Sequence, residues 1–194
     1  MATIPRHIFL ASLGNPAPYA NTLHSAGHIL LDALSSHLNL PPLSNNNLCF
    51  KSGLSTSSSS DPEFGLTLWQ SPTQMNVSGK PLVQAWKSYL SRLPADTRSA
   101  AKLYILHDEL EARLGKIKIR HTGSVKGHNG LKSVISAFGG KQDCFSRVGI
   151  GIGRPESRDP EDVSRYVLSA CRPHELVAIR GAAAEVAAKL LEIG

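Results

Sequence analysis

The chain has 194 residues, 41% of them hydrophobic and 19% charged, a balance that excludes a disordered chain and lets one domain bury a full core. Lysine and arginine number 21 against 15 aspartates and glutamates, a formal charge of +6, which points to acidic partners such as nucleic acid or an anionic membrane, with solubility alone as the plain alternative. Cys49, Cys144 and Cys171 are odd in number, far apart and in no C-x-x-C pair. They exclude a disulfide framework and a cysteine zinc site and indicate a reducing compartment.

The first apolar run, residues 6–13, is too short for a signal-peptide core and runs into Gly14-Asn15-Pro16, so it reads as a strand. Residues 25–38 read as a helix and 40–47 as a loop. Two strands at 48–54 and 65–70 read as a hairpin, with the serine tract 55–60 and Asp61-Pro62 as its exposed tip. A helix follows at 78–91, with Pro81 near its start, then strands at 102–108 and 115–121. Residues 129–138 form a helix stopped by Gly139-Gly140, and 144–152 a strand. The last helix spans 173–191: Pro173 suits its first turn, and Leu176, Ile179, Ala183, Val186 and Leu190 step by three and four. Strands interleaved with helices predict an α/β fold, one domain over 1–194 with a central mixed β-sheet flanked by helices. No apolar run approaches the roughly 18 residues of a membrane-spanning helix, which predicts a soluble protein of the cytoplasm, or of an organelle if a transit segment has been removed.

Several familiar devices are absent. No G-x-S-x-G, P-loop or H-E-x-x-H occurs, and Gly149-Ile150-Gly151-Ile152-Gly153 fails the dinucleotide spacing because Arg154 follows. It reads as a strand end where backbones approach closely. Four polar clusters remain, each at a strand end or a helix start: Gly14-Asn15-Pro16 with His24 nearby, Met75-Asn76-Val77-Ser78-Gly79, His107-Asp108-Glu109, and Gly127-His128-Asn129-Gly130. Singly, each has an ordinary reading as a turn or a cap. Together they fit one cleft at the carboxyl ends of parallel strands. A histidine with a carboxylate makes a base and its orienter, and asparagine amides can donate to an oxyanion. With no serine or cysteine nucleophile in evidence, the base would activate water for hydrolysis of a carbonyl compound without metal or cofactor. Lys116, Lys118 and Arg120 alternate along one strand and so share a face, while Lys126 and Lys132 flank the Gly-His-Asn-Gly turn. Backbone N–H groups of a loop at Gly123, Ser124 and Gly127 could approach phosphate. Beside a hydrolytic cleft this basic row suits a polyphosphate backbone.

These segments, with Leu13, Tyr19, Ser25-Ala26-Gly27, Lys80, Leu110, Leu131-Lys132, Arg147–Gly153 and Pro155, occur in the order found in the bacterial-type peptidyl-tRNA hydrolases. The chain resembles that family over nearly its whole length. The resemblance implies a monomer with a mixed sheet flanked by helices, needing no cofactor or metal, that acts on peptidyl-tRNA through the tRNA acceptor end. It implies that His24 is the base and Asp108 its orienting carboxylate. Asn15, Tyr19, Met75, Asn76 and Asn129 are implied to bind substrate, Asn76 supporting the oxyanion and Asn129 lying on the peptide or water side. Lys116, Lys118, Arg120, Lys126 and Lys132 are assigned to tRNA. The chain departs from the family pattern at Leu23 and Ser25 around His24, at Gln74, and at Gly149, where a phosphate-binding arginine is expected. Two rivals stay in view. One is a non-catalytic RNA-binding module on the same scaffold. The other is a hydrolase of other blocked esters or amides whose basic face serves only solvation.

Overall fold

A computed structural model describes residues 6–45, 53–57, 64–125 and 127–193. Two strands carry the fold: β1 (Arg6–Ser12) and β4 (Lys102–Glu109). Side chains alternate across a strand. In β1, Ile8 and Leu10 enter one apolar cluster, and Phe9 and Ala11 enter the other. In β4, Tyr104 and Leu106 enter the first, and Leu103 and Ile105 the second. Both strands are therefore buried on both faces, which is why each reads as a continuous apolar run.

The sheet has the order β2-β3-β1-β4-β6-β5, adding β2 (Leu54–Ser57), β3 (Phe64–Gln70), β5 (Ile117–Arg120) and β6 (Ser146–Gly151). The four inner strands are parallel, and β2 and β5 pair antiparallel at the edges. This is the mixed sheet the sequence predicts, in a single α/β domain. Of the helices, α1 (Ala26–His37), α5 (Pro173–Gly181) and α6 (Ala183–Ile193) cover the Leu10 face, whereas α2 (Gly79–Arg92) and α3 (Asn129–Ala137) cover the Phe9 face. Because β3 and β4 flank β1, the chain passes over β1, and the carboxyl ends of β3, β1 and β4 open into one crevice.

Three expectations are corrected. The predicted single helix at 173–191 is two, α5 and α6, separated at Ala182. The apolar stripe continues through the break because Ile179, Ala183 and Val186 still face the core. A helix not predicted, α4 (Pro160–Val167), begins with the Asp159 side chain accepting from the Glu161 N–H and with Pro160 in its first turn. The serine tract is not simply an exposed tip: Ser55 and Thr56 are buried in β2, and Ser55 also bridges Ser44, inside the predicted loop. Small hydroxyl residues fit there between a neighbouring strand and a loop. Residues 46–52, 58–63 and Lys126 lie outside the described residues, and with them Cys49 and most of the predicted strand 48–54. Cys144 and Cys171 are free thiols. No helix among the described residues is long and apolar enough to cross a membrane.

Candidate active site

Asp108 is the second-last residue of β4 and shares the strand face of Leu106, so its carboxylate emerges beneath the start of α1. His24 lies in the single 3-10 turn Leu23–Ser25 that leads into α1. The helix comes this close because residue 27 is glycine: a Cβ there would sit 2.4 Å from the Leu13 carbonyl oxygen and 2.8 Å from that of Leu106. Strand ends and helix start thus meet backbone to backbone, and His24 Nδ1 lies 2.9 Å from Asp108 Oδ1.

A second imidazole reaches the same oxygen. His128, the N-cap of α3, places Nε2 3.0 Å from Asp108 Oδ1, and the Leu131 N–H donates to its Nδ1 at 3.2 Å. A nitrogen that accepts an N–H carries no proton, so neutral His128 holds its proton on Nε2 and donates it to Asp108. A third histidine, His107, packs edge-on to His128 at 5.1 Å between ring centroids, with Nδ1 2.7 Å from the main-chain oxygen of Asp108. A carbonyl only accepts, so His107 holds its proton on Nδ1.

Burial alone would raise the Asp108 pKa; the imidazoles of His128 and His24, as charge partners and hydrogen-bond donors, reverse this and hold it well below the usual carboxylate range. An ionised carboxylate only accepts, so neutral His24 donates from Nδ1 and leaves an Nε2 lone pair. Burial disfavours the His24 imidazolium, but the charge of Asp108 and the hydrogen bond to it outweigh that, and its pKa is raised. For His107, burial dominates, helped by His128 and Arg147, and holds the pKa at about 3.

These groups border a cavity of about 690 Å³. Asn15, Tyr19, Met75, Asn76 and Asn129 line it with His24 and Asp108, so seven residues from four separate segments converge. Asn15 Oδ1 accepts from the Met75 N–H at 2.9 Å. That bond fixes the amide orientation, and Asn15 offers a ligand its Nδ2 donor. The Asn15 N–H in turn donates to Ser25 Oγ, beside His24. Asn76 and Asn129 are exposed and line the cavity. Met75 is buried, and its sulfur would lie 2.4 Å from a Cβ on Gly130, so the start of α3 packs directly on the Met75–Val77 turn.

A family model described as peptidyl-tRNA hydrolase matches residues 9–193. The chain belongs to the peptidyl-tRNA hydrolase family. It is 34% identical over 174 residues to a peptidyl-tRNA hydrolase of Saccharomyces cerevisiae, covering 87% of this chain and 86% of the relative. It is 36% identical over 162 residues to one from Mycobacterium sp. strain KMS, covering 83% and 77%. The crystal structure of peptidyl-tRNA hydrolase from Acinetobacter baumannii superposes with a TM-score of 0.73 at 30% identity, covering 94% of this chain and 86% of that one.

Within this member of the peptidyl-tRNA hydrolase family, the basic residues divide. Arg120 lines the cavity and pairs with Glu109 at 3.7 Å. Lys116, Lys118 and Lys132 are exposed outside the lining, and Lys118 donates to the Glu111 carbonyl. Lys116 precedes β5 rather than lying within it, because Gly115 turns the chain at a φ of 75° first. In the loop predicted to meet phosphate, the carbonyls of Thr122, Gly123 and Ser124 all accept from Arg147, which is 5% exposed and lies within 4 Å of no carboxylate among the described residues. Sequence reasoning assigned no role to His107, His128, Arg147 or the α4 wall formed by Val163, Ser164 and Val167. For His128 the signal was present in its own motif, a histidine three residues before an apolar helix position.

One ligand atom from each of His24, Asp108 and His128 lies within 4.8 Å of the other two, which is compatible in spacing with a metal ion. The wiring opposes one. A metal on His128 Nε2 would move the proton to Nδ1, where the Leu131 N–H already points. The donor set is arranged to hold protons.

Proposed function

We propose that the protein hydrolyses the ester joining a peptide, or an N-blocked amino acid, to the 3′-terminal ribose of tRNA, and so recycles tRNA from stalled translation. The observation that carries this reading is the His24–Asp108 pair, its Nε2 without a partner among the described residues, on a cavity lined by three asparagines. His24 Nε2 takes a proton from water as the oxygen attacks the ester carbonyl carbon. Asn76 and Asn129 donate to the oxyanion and position substrate; in other enzymes one such donor contributes about 3–4 kcal/mol. Asp108 stabilises the imidazolium. Collapse breaks the bond to the ribose oxygen, which recovers the proton from His24, giving a carboxylic acid and free tRNA.

Arg120 at the cavity and Lys116, Lys118 and Lys132 outside it, together with Lys126 of the sequence, would follow the tRNA backbone toward the acceptor end. The reaction requires neither metal nor cofactor, in keeping with the proton wiring of Asp108, and one chain supplies every group it uses, as a monomer in the cytoplasm or an organelle would. The test is release of labelled N-acetyl-aminoacyl groups from tRNA, with EDTA present, by wild type and His24→Ala. Turnover in wild type and its loss in a folded variant are expected. Turnover retained in the variant would remove His24 as the base, and tRNA binding without any turnover would favour the RNA-binding module.

A further inference from the structure

The proposed reaction uses His24 and Asp108 but leaves His107, also on the cavity, without a task. We infer that His107 Nε2 accepts a hydrogen bond from a donor of the substrate beside the scissile ester, either a ribose hydroxyl or an amide N–H; this rests on the function proposed above.

The His107 Nδ1 proton is committed to the Asp108 main-chain oxygen at 2.7 Å. Nε2 has no hydrogen-bond partner among the described residues, yet it is not one of the buried unpaired atoms, which are His28 Nε2, Tyr89 Oη and Arg154 Nε. The ring lines the cavity, and an Nε2 not sealed in the interior has room for a ligand on that side. The ring is edge-on to His128, which holds the carboxylate that holds His24, so Nε2 lies in the neighbourhood of the base. Across the β4–β6 pairing its partner is Gly149. A Cβ on that residue would already stand 3.5 Å from His107 Cε1, and glycine leaves this edge of the ring uncrowded.

The charged and titratable groups around the ring are Asp108, His128 and Arg147, and burial with the last two keeps the imidazole neutral through the working pH range. A neutral nitrogen bearing only a lone pair selects O–H and N–H groups and repels anionic oxygen. Phosphate is thus excluded as its ligand. On a peptidyl ester of a terminal ribose, the donors nearest the ester carbon are the adjacent ribose hydroxyl and the amide N–H of the esterified residue.

The test is a cycle of enzyme variants against substrate analogues. The variants are His107→Phe, which keeps a planar ring and loses the acceptor, and His107→Gln, which returns an acceptor oxygen. The substrates are N-acetyl-phenylalanyl-tRNA, the same ester on a 2′-deoxy terminus, and its N-acetyl-N-methyl counterpart. On the parent substrate, His107→Phe should lower kcat/KM by about three- to tenfold, the worth of one neutral hydrogen bond. On the analogue that lacks the partner, wild type and His107→Phe should be equal, and the arm in which this occurs identifies the donor. His107→Gln should recover part of the discrimination between parent and that analogue. A loss of the same factor on all three substrates would overturn the inference. So would wild-type discrimination surviving in both variants, and so would collapse of both variants' activity on every substrate. Failure of wild type to release the parent would instead overturn the proposed function.

Discussion

Asp108→Asn separates the charge of the carboxylate from its geometry. Both imidazoles address the same atom, Oδ1, at 2.9 and 3.0 Å. An amide oxygen in that place can accept from both, so His24 keeps its proton on Nδ1 and its lone pair on Nε2. What disappears is the negative charge facing the imidazolium. Hydrogen bonds to charged groups contribute roughly 1.5–3 kcal/mol. At about 1.4 kcal/mol per factor of ten, kcat should fall roughly 10- to 150-fold. The pH profile should move as well. Burial lowers the His24 pKa, and only Asp108 raises it. With the charge removed, the limb along which the rate rises as His24 deprotonates should shift to lower pH, below the ordinary histidine value. Asp108→Ala leaves two imidazole N–H groups unpaired and frees the tautomer, so it should cost far more than Asp108→Asn. Initial rates on N-acetyl-aminoacyl-tRNA from pH 5 to 9 would decide. Equal losses in Asn and Ala variants would show that the carboxylate contributes through its charge and not through the tautomer; an unmoved limb would show that Asp108 does not set the His24 pKa.

Three further outcomes follow from other parts of the molecule. Burial holds His28 at a pKa of about 4, with a partial offset from the Ser71 backbone. The unfolded chain therefore takes up a proton below about 6.5 that the folded chain refuses until about 4, and stability falls across that window as pH drops. From pH 7 to 5 this is worth about 2 kcal/mol, so His28→Leu should lose about 2 kcal/mol less than wild type over that interval in denaturant titrations. Gly27→Ala should lower the melting temperature, by the equivalent of about 1–3 kcal/mol, and should cut kcat more than KM, since its Cβ would press on the Leu13 and Leu106 carbonyls and lift His24 from Asp108. Turnover should weaken steeply with salt, and Lys118→Ala should reduce the slope of log kcat/KM against log salt by about one; a slope unchanged by that substitution would remove Lys118 from the tRNA contact.

The sequence exposed those features that depend on local pattern. Residues 8–11 of β1 and 103–106 of β4 are apolar at every position because both faces are covered, and the polar clusters are visible as interruptions at strand ends. Asn15, His24, Met75, Asn76, Asp108 and Asn129 meet at one cavity for that reason. Features that depend on what faces a residue were hidden. The α4 segment is only eight residues long with few apolar positions, too short for its pattern to stand out, and only Asp159-Pro160 marks its start. The break at Ala182 leaves the apolar stripe intact, so periodicity passes over it. Ser55 and Thr56 look like a solvated tip until the neighbours of β2 are known. Arg147 reads as one more basic residue, and only the fold shows its guanidinium spent on three carbonyls, turning the Thr122–Ser124 loop inward.

The histidines around Asp108 show why residue type alone does not assign chemistry. All three touch this residue, two at its side chain and one at its main chain. Their roles are set by what the other ring nitrogen meets. His24 gives Nδ1 to the carboxylate and leaves Nε2 bare, which makes a base. His128 gives Nε2 to the carboxylate and has Nδ1 filled by the Leu131 N–H, which orients the ring, caps α3 and leaves it no lone pair for substrate. His107 gives Nδ1 to a carbonyl and keeps an Nε2 lone pair that burial prevents from protonating, which makes a permanent acceptor. Of the three rings, His24 alone is both paired with the carboxylate and left with an Nε2 lone pair. That is the arrangement general-base hydrolysis needs, because the base must turn its accepting nitrogen to water while the carboxylate holds its other nitrogen.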